Sequence, residues 1–415
     1  MKIRSFVRQW ISNWYSVFAK ELKNIFSDSG VLVIFFLAGL AYPVLYNLIY
    51  SNGTLDGMPV AVVDLSGGSE SRKFTRDLDA TRELSVKYKC EDMGKARSLM
   101  ENRKVNGIIL IPEDYDGLIA AKRQAVISTY ADMSSFLYYK NLTMGVNQVM
   151  LAEMRDIQSG ILPMPVKYEE NLPYNRTFSY TIFFLSAALL IVVQQTMFYG
   201  VSMLSGTIRE EGRYGDLLPG NKSHRGVLRD VFGKSTAYWL IYMGIGIYVA
   251  ILVPKLFGLP QNCPPGQIMG LLFFYVPACV MFSLTFSHLV RHRETVFIMF
   301  LFMSPICLFL TGFSWPESSF PGFWEIFSFI FPSTFGVRAF INMNTAGASL
   351  AMAGEQIKAL TIQFIVYYLL ACLLSYLDCK TFEARIEHTV GNDAPDASGY
   401  DIQQPFTDEI IPDKQ

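Results

Sequence analysis

The sequence predicts an α-helical polytopic membrane protein with six transmembrane helices and an α/β extracytoplasmic domain between helices 1 and 2. Apolar residues make up 51% of the 415 residues and charged residues only 17%, against about a quarter charged in ordinary soluble domains. The apolar residues gather into runs long enough to cross a bilayer. Between the first two runs lies one long segment of soluble composition, with acids and bases nearly balanced. The net charge of −1 gives no reason to expect a nucleic-acid partner. The six cysteines show no metal-ligand spacing, and a disulfide framework is not expected.

Residues 1–28 form the first element. Phe6, Trp10, Trp14, Phe18 and Leu22 recur every four residues, and Arg4, Arg8, Lys20 and Lys23 occupy much of the remaining surface. This pattern predicts an amphipathic helix in the membrane interface, its tryptophans at headgroup depth. Packing of the same face on a protein partner is the alternative. The run "VLVIFFLAGLAYPVLYNLIY" follows, within residues 30–50. Thirty residues precede it, it outlasts a signal core, and no small-x-small site follows closely, so it reads as the first span.

Residues 51–176 alternate strand and helix patterns. "MPVAVVDLS" reads as a buried strand and "SESRKFTRDLD" as a helix; "ELSVKYK", "MGKARSLMENRK", "VNGIILIP", "DYDGLIAAKR" and "QAVISTYAD" continue the alternation. Strands separated by short helices predict an α/β domain. Residues 134–159 have helical character.

Residues 177–378 hold the other five runs: Phe178–Leu204, Thr236–Pro254, Ile268–Val290, Val296–Gly312 and Ile357–Leu377. Lysine and arginine collect in the N-terminal segment, in residues 206–234, in "RHRE" and after the last run, while Gly258–Gly266 has none and Phe313–Gln356 only Arg338. That alternation predicts both termini in the cytoplasm. The tail, 379–415, is acidic beyond His388 and is expected to be disordered.

Candidate chemistry is sparse. "GDLLPGNKS" is one residue away from a phosphate-binding loop, but Asn221 separates Gly220 from Lys222 and no strand precedes the glycines, so direct nucleotide binding is not expected. The four histidines form no zinc-protease pattern, and no Gly-x-Ser-x-Gly elbow occurs. No catalytic residue and no metal site is therefore assigned. Asp64, at the end of "VAVVD", reads as a cap for the following helix. The spans carry essentially no charge, which points away from an ion-driven carrier. Gln194, Gln195 and Ser304 are candidates for lining a cavity, although helix–helix hydrogen bonding is the favoured role. Between 313 and 345, aromatic sequence is interrupted by Pro316, Pro321 and Pro332 just after Gly312. Broken helices at membrane depth are tolerated where protein or a cavity surrounds them, so this region is expected to be re-entrant and gate-like.

These pieces together resemble the permease subunits of type-2 ABC exporters, in the branch with a large extracytoplasmic domain after the first span. The resemblance rests on "KELKNIFSD" before the first span, "MPVAVVDLSGGSESRKF", "IREEGRYGDLLPGNKSHRGVLRDVFGK", "TGFSWPESSFPGFW" and "FPSTFGVRAFINMNTAGASL". It implies that residues 206–234 form a coupling loop docking on a separate ATP-binding subunit through Glu210, Glu211, Gly212, Leu217 and Leu218. It also implies an interface helix beside that loop, with Trp10, Trp14, Phe18, Lys20 and Glu21. ATP and Mg would then belong to the partner subunit, with no cofactor on this chain. The expected partners are that ATP-binding subunit, a second permease copy or paralogue, the lipid bilayer and a periplasmic membrane-fusion adaptor. The bacterial cytoplasmic (inner) membrane is the expected location, and a drug or lipid-like amphipathic molecule the expected substrate. A membrane-anchored receptor and a cell-envelope organising protein are the rival readings.

Overall fold

A computed structural model describes residues 2–49, 55–121, 123–158, 180–213, 216, 224–312 and 317–390. The chain forms two compact units, Met1–Ser51 with Leu172–Gln415, and Asn52–Asn171.

The helical unit begins with α1 (Lys2–Ser27). Asp28 then ends one helix and starts the next. Its Oδ1 accepts from the backbone N–H groups of Gly30 (2.9 Å) and Val31 (3.1 Å), capping α2 (Ser29–Ile49). Within α2 the backbone widens to a π-helix over Val33–Ala38.

The second unit runs β1 (Met58–Asp64), α3 (Ser69–Asp79), β2 (Leu84–Cys90), α4 (Met93–Glu101), β3 (Gly107–Ile111), α5 (Tyr115–Ala120), β4 (Ser128–Ala131) and α6 (Phe136–Gln158). The strand order is β2-β1-β3-β4; β1 pairs in parallel with β2 and β3, and β4 runs antiparallel to β3. Helices on both faces of a parallel sheet explain why "VAVV" is apolar without alternation. Val60 and Val62 pack with Phe74 and Leu78 of α3 and with Leu142, Val146 and Val149 of α6. Ala61 and Val63 pack on the other side with Ala96 of α4. Each fully buried Val, Leu, Ile or Phe contributes roughly 1.5–3 kcal/mol before entropy is subtracted.

The predicted Asp64 cap is replaced by a different arrangement. Asp64 closes its own turn, accepting from the N–H groups of Ser66 (3.1 Å) and Gly67 (2.9 Å) and from Ser71 Oγ (2.8 Å). The first turn of α3 is capped from α5 instead, where Asp116 accepts from the N–H groups of Glu70 (2.7 Å) and Ser71 (3.3 Å) and from Ser66 Oγ (2.7 Å). The strand-ending Asp64 thus serves the N–H groups of the turn and Asp116, from α5, those of the helix start, a division that only packing sets.

The helical unit resumes with α7 (Tyr180–Glu210), α8 (His224–Ile247, continuing through a π-helical turn Tyr248–Leu252 into Val253–Leu256) and α9 (Pro265–Ser287). Then come α10 (Thr295–Leu310), α11 (Gly322–Ser328), α12 (Pro332–Ala346) and α13 (Gly354–Val390). Of the apolar window in α7, 89% is buried, against 22% in α2 and 28% in α13, so α7 is the core helix and the other two turn apolar faces outward. Among the described residues, five helices are long and apolar enough to cross a membrane, or six if α11 and α12 count as one bent span.

Two predicted boundaries change. The run 296–312 becomes α10, which has only 16 residues and is roughly 24 Å long, short of the ~30 Å hydrocarbon core. Residues 206–210 and 224–234, at the two ends of the predicted coupling loop, are helical. Within 313–345, α11 and α12 meet at 88°. Phe331 is extended (φ −92°, ψ 123°) because it precedes Pro332, which opens α12 at its first position.

Candidate functional site

Ionisable side chains concentrate where α1, the end of α7, the start of α8, the α9–α10 turn and α13 meet. Arg209, in the last turn of α7, reaches the end of α9. Its Nη1 donates to the carbonyls of Ser287 (3.2 Å), His288 (3.0 Å) and Val290, and its Nη2 pairs with Asp378 Oδ2 at 3.2 Å. The final carbonyls of a helix have no partner within it, and a guanidinium there satisfies both hydrogen bonding and the helix dipole. Asp378 also meets His288 Nδ1 at 2.8 Å, and His288 Nε2 lies 3.3 Å from Ser375 Oγ.

Arg293, in the α9–α10 turn, makes a second junction. Its backbone N–H donates to Glu210 Oε1 (2.9 Å), while its guanidinium reaches Asp28 Oδ1 (3.1 Å) and Thr207 Oγ1 (3.4 Å). The end of α7 is thereby fastened to the start of α2.

The chain leaves α7 through Gly212, whose φ of +67° is left-handed. Gly212 N–H bonds to Arg209 C=O and Arg213 N–H to Ile208 C=O, the pair of bonds that closes a helix on a glycine. Glu211 then pairs with Arg213 at 2.7 Å, and Arg213 with Asp216 at 3.2 Å. Asp216 is the pivot of the segment. Its carboxylate meets Lys20 of α1 at 2.6 Å, and its carbonyl accepts from Lys234 Nζ of α8 at 2.7 Å.

The packed face of α1 lies on α8. Trp10 sits 6.5 Å from the Phe232 ring, Trp14 stacks on Phe18 at 5.6 Å, and Gly233 lies beneath Val17. Glu21 is buried and accepts from the Tyr238 hydroxyl. Asp230, also buried, pairs with Arg229 at 2.8 Å. A small cavity of about 40 Å³ lined by Glu21, Arg209, Asp230, Lys234, His288 and Ser375 among others has room for a few water molecules. The arrangement is a joint made of ion pairs. Among the described residues no group of three His, Cys, Asp or Glu could hold a metal ion.

Each intramembrane candidate has a protein partner. Gln194 is buried, and its Oε1 accepts from Ser333 N–H at the start of α12 (2.5 Å) and lies 3.7 Å from Cys279 Sγ. Its Nε2 points to Cys307 Sγ at 3.9 Å. Gln195 Nε2 donates to the Ser304 carbonyl (3.3 Å), and Ser304 Oγ donates back to Gln195 Oε1 (3.2 Å). These are contacts between helices. Gly312 (φ +80°) follows α10, where Arg338 of α12 donates to the Thr311 carbonyl (3.2 Å). Pro321 precedes α11 and Pro332 starts α12. Leu217, Leu218, Pro316, residues 159–179 and the tail 391–415 lie outside the described residues.

Sequence reasoning missed Asp216, Arg209 and Arg293. Asp216 was readable as an acid within the charged segment, but its pairing with Lys20 spans most of the N-terminal half of the chain. Local spacing carries no trace of it.

Several long apolar helices with charge gathered at their ends define a multi-pass membrane protein. The family model for ABC-2 family transporter protein matches residues 30–373, and the chain belongs to that family. It is a membrane component of a transporter, and membership implies an ATP-binding partner subunit. Curated protein sequences gave no match.

Proposed function

We propose that this chain is the membrane-spanning subunit of an ATP-driven exporter, moving an amphipathic drug-like or lipid-like molecule out of the cytoplasm. A separate subunit binds ATP and Mg and hydrolyses the nucleotide. Two permease subunits, identical or paralogous, work with two such ATPase subunits in the bacterial cytoplasmic membrane. Both termini are cytoplasmic, and the α/β unit lies outside and meets a periplasmic adaptor or gates release.

The observation that carries this reading is Asp216, held by Lys20 of α1 on one side and Lys234 of α8 on the other. A force applied to residues 211–216 from outside the chain therefore reaches α1, α7 and α8 together. Glu210 extends it to the α9–α10 turn through Arg293 N–H. Docking of an ATPase on Glu211, Gly212, Leu217 and Leu218 would convert nucleotide-driven closure into rigid motion of these helices. The family match supports the transporter class, and the low charge of the spans favours an energy source outside them.

The test is affinity capture of the tagged chain from native membranes in mild detergent, beside a variant carrying Glu210→Ala, Glu211→Ala and Leu217→Ala. A P-loop ATPase should co-purify with the first and be lost from the second. An intact complex without any ATPase would remove the proposed energy source and favour the receptor reading.

A further inference from the structure

We infer that the α/β unit docks one end of its sheet on a lipid headgroup surface. The inference needs only the membrane-spanning character of the chain and is independent of the export reading. The end concerned is where the parallel strands begin. The chain arrives there at Leu55, whose carbonyl accepts from Asn141 Nδ2 of α6, and runs into β1 at Met58. Leu55 follows Ile49, the last residue of span α2, by six positions. Six residues reach at most roughly 20 Å when fully extended, so this end of the sheet is tethered close to the membrane surface.

The side chains at this end suit that position. Ala131, the last residue of β4, pairs with Gly107, the first of β3, and Asp132 N–H donates to the Asn106 carbonyl at 3.0 Å. The turn that follows exposes Met133 (66%) and Phe136 (69%), and the Phe136 ring lies 6.2 Å from that of exposed Tyr139. Arg103 and Lys104, both exposed, occupy the neighbouring turn before β3. Methionine and aromatic side chains beside two cations match the chemistry of the interfacial layer, where rings sit among headgroups and cations meet phosphates. The opposite end of the sheet is acidic, with Asp64, Asp92, Glu113, Asp114 and Asp116. Its exposed apolar side chains, Leu65 and Val126, are aliphatic. The tether and the aromatic patch select the same end; charge does not separate the two, since Asp56, Glu83 and Asp132 stand at this end with Arg82, Arg103 and Lys104.

The experiment uses the full chain in nanodiscs of phosphatidylethanolamine and phosphatidylglycerol. Cys379 is replaced by serine, since the other five cysteines are buried. Single nitroxide labels are placed through Met133→Cys, Phe136→Cys, Tyr139→Cys or, at the acidic end, Asp92→Cys. Collision with oxygen, which partitions into lipid, is compared with collision with a water-soluble nickel chelate. At 133 and 136 the oxygen-to-nickel ratio should exceed that at 92 several-fold, with 139 following them. Equal ratios at all four sites would overturn the inference by showing an end bathed in water. Exclusion of both reagents from 133 and 136 would overturn it too, since that result means protein, such as a second copy of the chain, covers the patch.

Discussion

Gln194 shows how much one side chain can decide inside a membrane. Its amide oxygen holds the Ser333 N–H at the start of α12, a donor with no partner in its own helix. Without the glutamine that N–H is buried and unsatisfied, which costs about 1–3 kcal/mol. Gln194→Leu keeps the volume and loses the acceptor, so detergent-solubilised protein should unfold at lower temperature, whereas Gln195→Leu, which loses a contact to Ser304, should cost less. Gly336 makes a steric counterpart: a Cβ built there would lie 2.3 Å from a carbon of the buried Tyr275 ring. Gly336→Ala should therefore destabilise by about 1–3 kcal/mol through overpacking, and trimming the ring with Tyr275→Leu in the same chain should recover part of the loss. The sequence made Gln194 visible as a polar residue in an apolar run. It could not show which N–H that residue serves, because Ser333 comes from a helix 139 positions later.

At the scale of elements, magnitude separates stability from coupling. Lys20 is half exposed, and exposed ion pairs contribute under about 1 kcal/mol. Lys20→Ala should barely move the unfolding temperature yet reduce recovery of the ATP-binding subunit, because α1 no longer holds Asp216. The α/β unit gives a pH prediction with two arms. Burial pushes the Glu153 carboxyl above its ordinary value, outweighing the hydrogen bond from Tyr115 Oη (2.7 Å). Its contribution is therefore complete below the ordinary glutamate pKa and is lost as pH rises through the raised folded value. Asp116 behaves oppositely. Slight burial pushes its pKa up, but hydrogen bonds from Ser66 Oγ and the N–H groups of Glu70 and Ser71 outweigh that and hold it low. Its contribution is present above the ordinary aspartate pKa and is lost as pH falls through the lowered one. Protection of α3 and α6 amides in hydrogen exchange, corrected for intrinsic rate, should show both arms, with Glu153→Gln removing the upper and Asp116→Asn the lower. The elements themselves were largely legible: "VAVVD", "GIILI" and the helices between them follow from apolar continuity and polar spacing. The shortness of α10 was less so, because an apolar run records composition while Gly312 and the turn before Thr295 set where the helix stops.

For the whole molecule, the membrane character could be read from the ordering of spans, soluble segment and charged loop, each of which is a local compositional signal, while the family is suggested by the resemblance of stretches such as "IREEGRYGDLLPGNKSHRGVLRDVFGK" and is shown by the family match. The joint around Arg209, Asp216 and Arg293 could not be read that way, since its ion pairs Arg209–Asp378 and Arg293–Asp28 connect residues 169 and 265 positions apart and Lys20–Asp216 crosses from α1 to the segment after α7. That joint is the centre of the functional account, and it makes a directional claim about where the energy enters. The most direct measurement places a photo-crosslinking amino acid at Glu211, or at Asp92 in the α/β unit, and irradiates native membranes before purification. The account predicts that the probe at 211 captures an ATP-binding subunit, that the yield changes when ATP and vanadate trap the closed state, and that the probe at 92 captures none. Capture of an ATP-binding subunit from 92, or its absence from 211 while it co-purifies with the chain, would contradict the assignment of this loop as the coupling element.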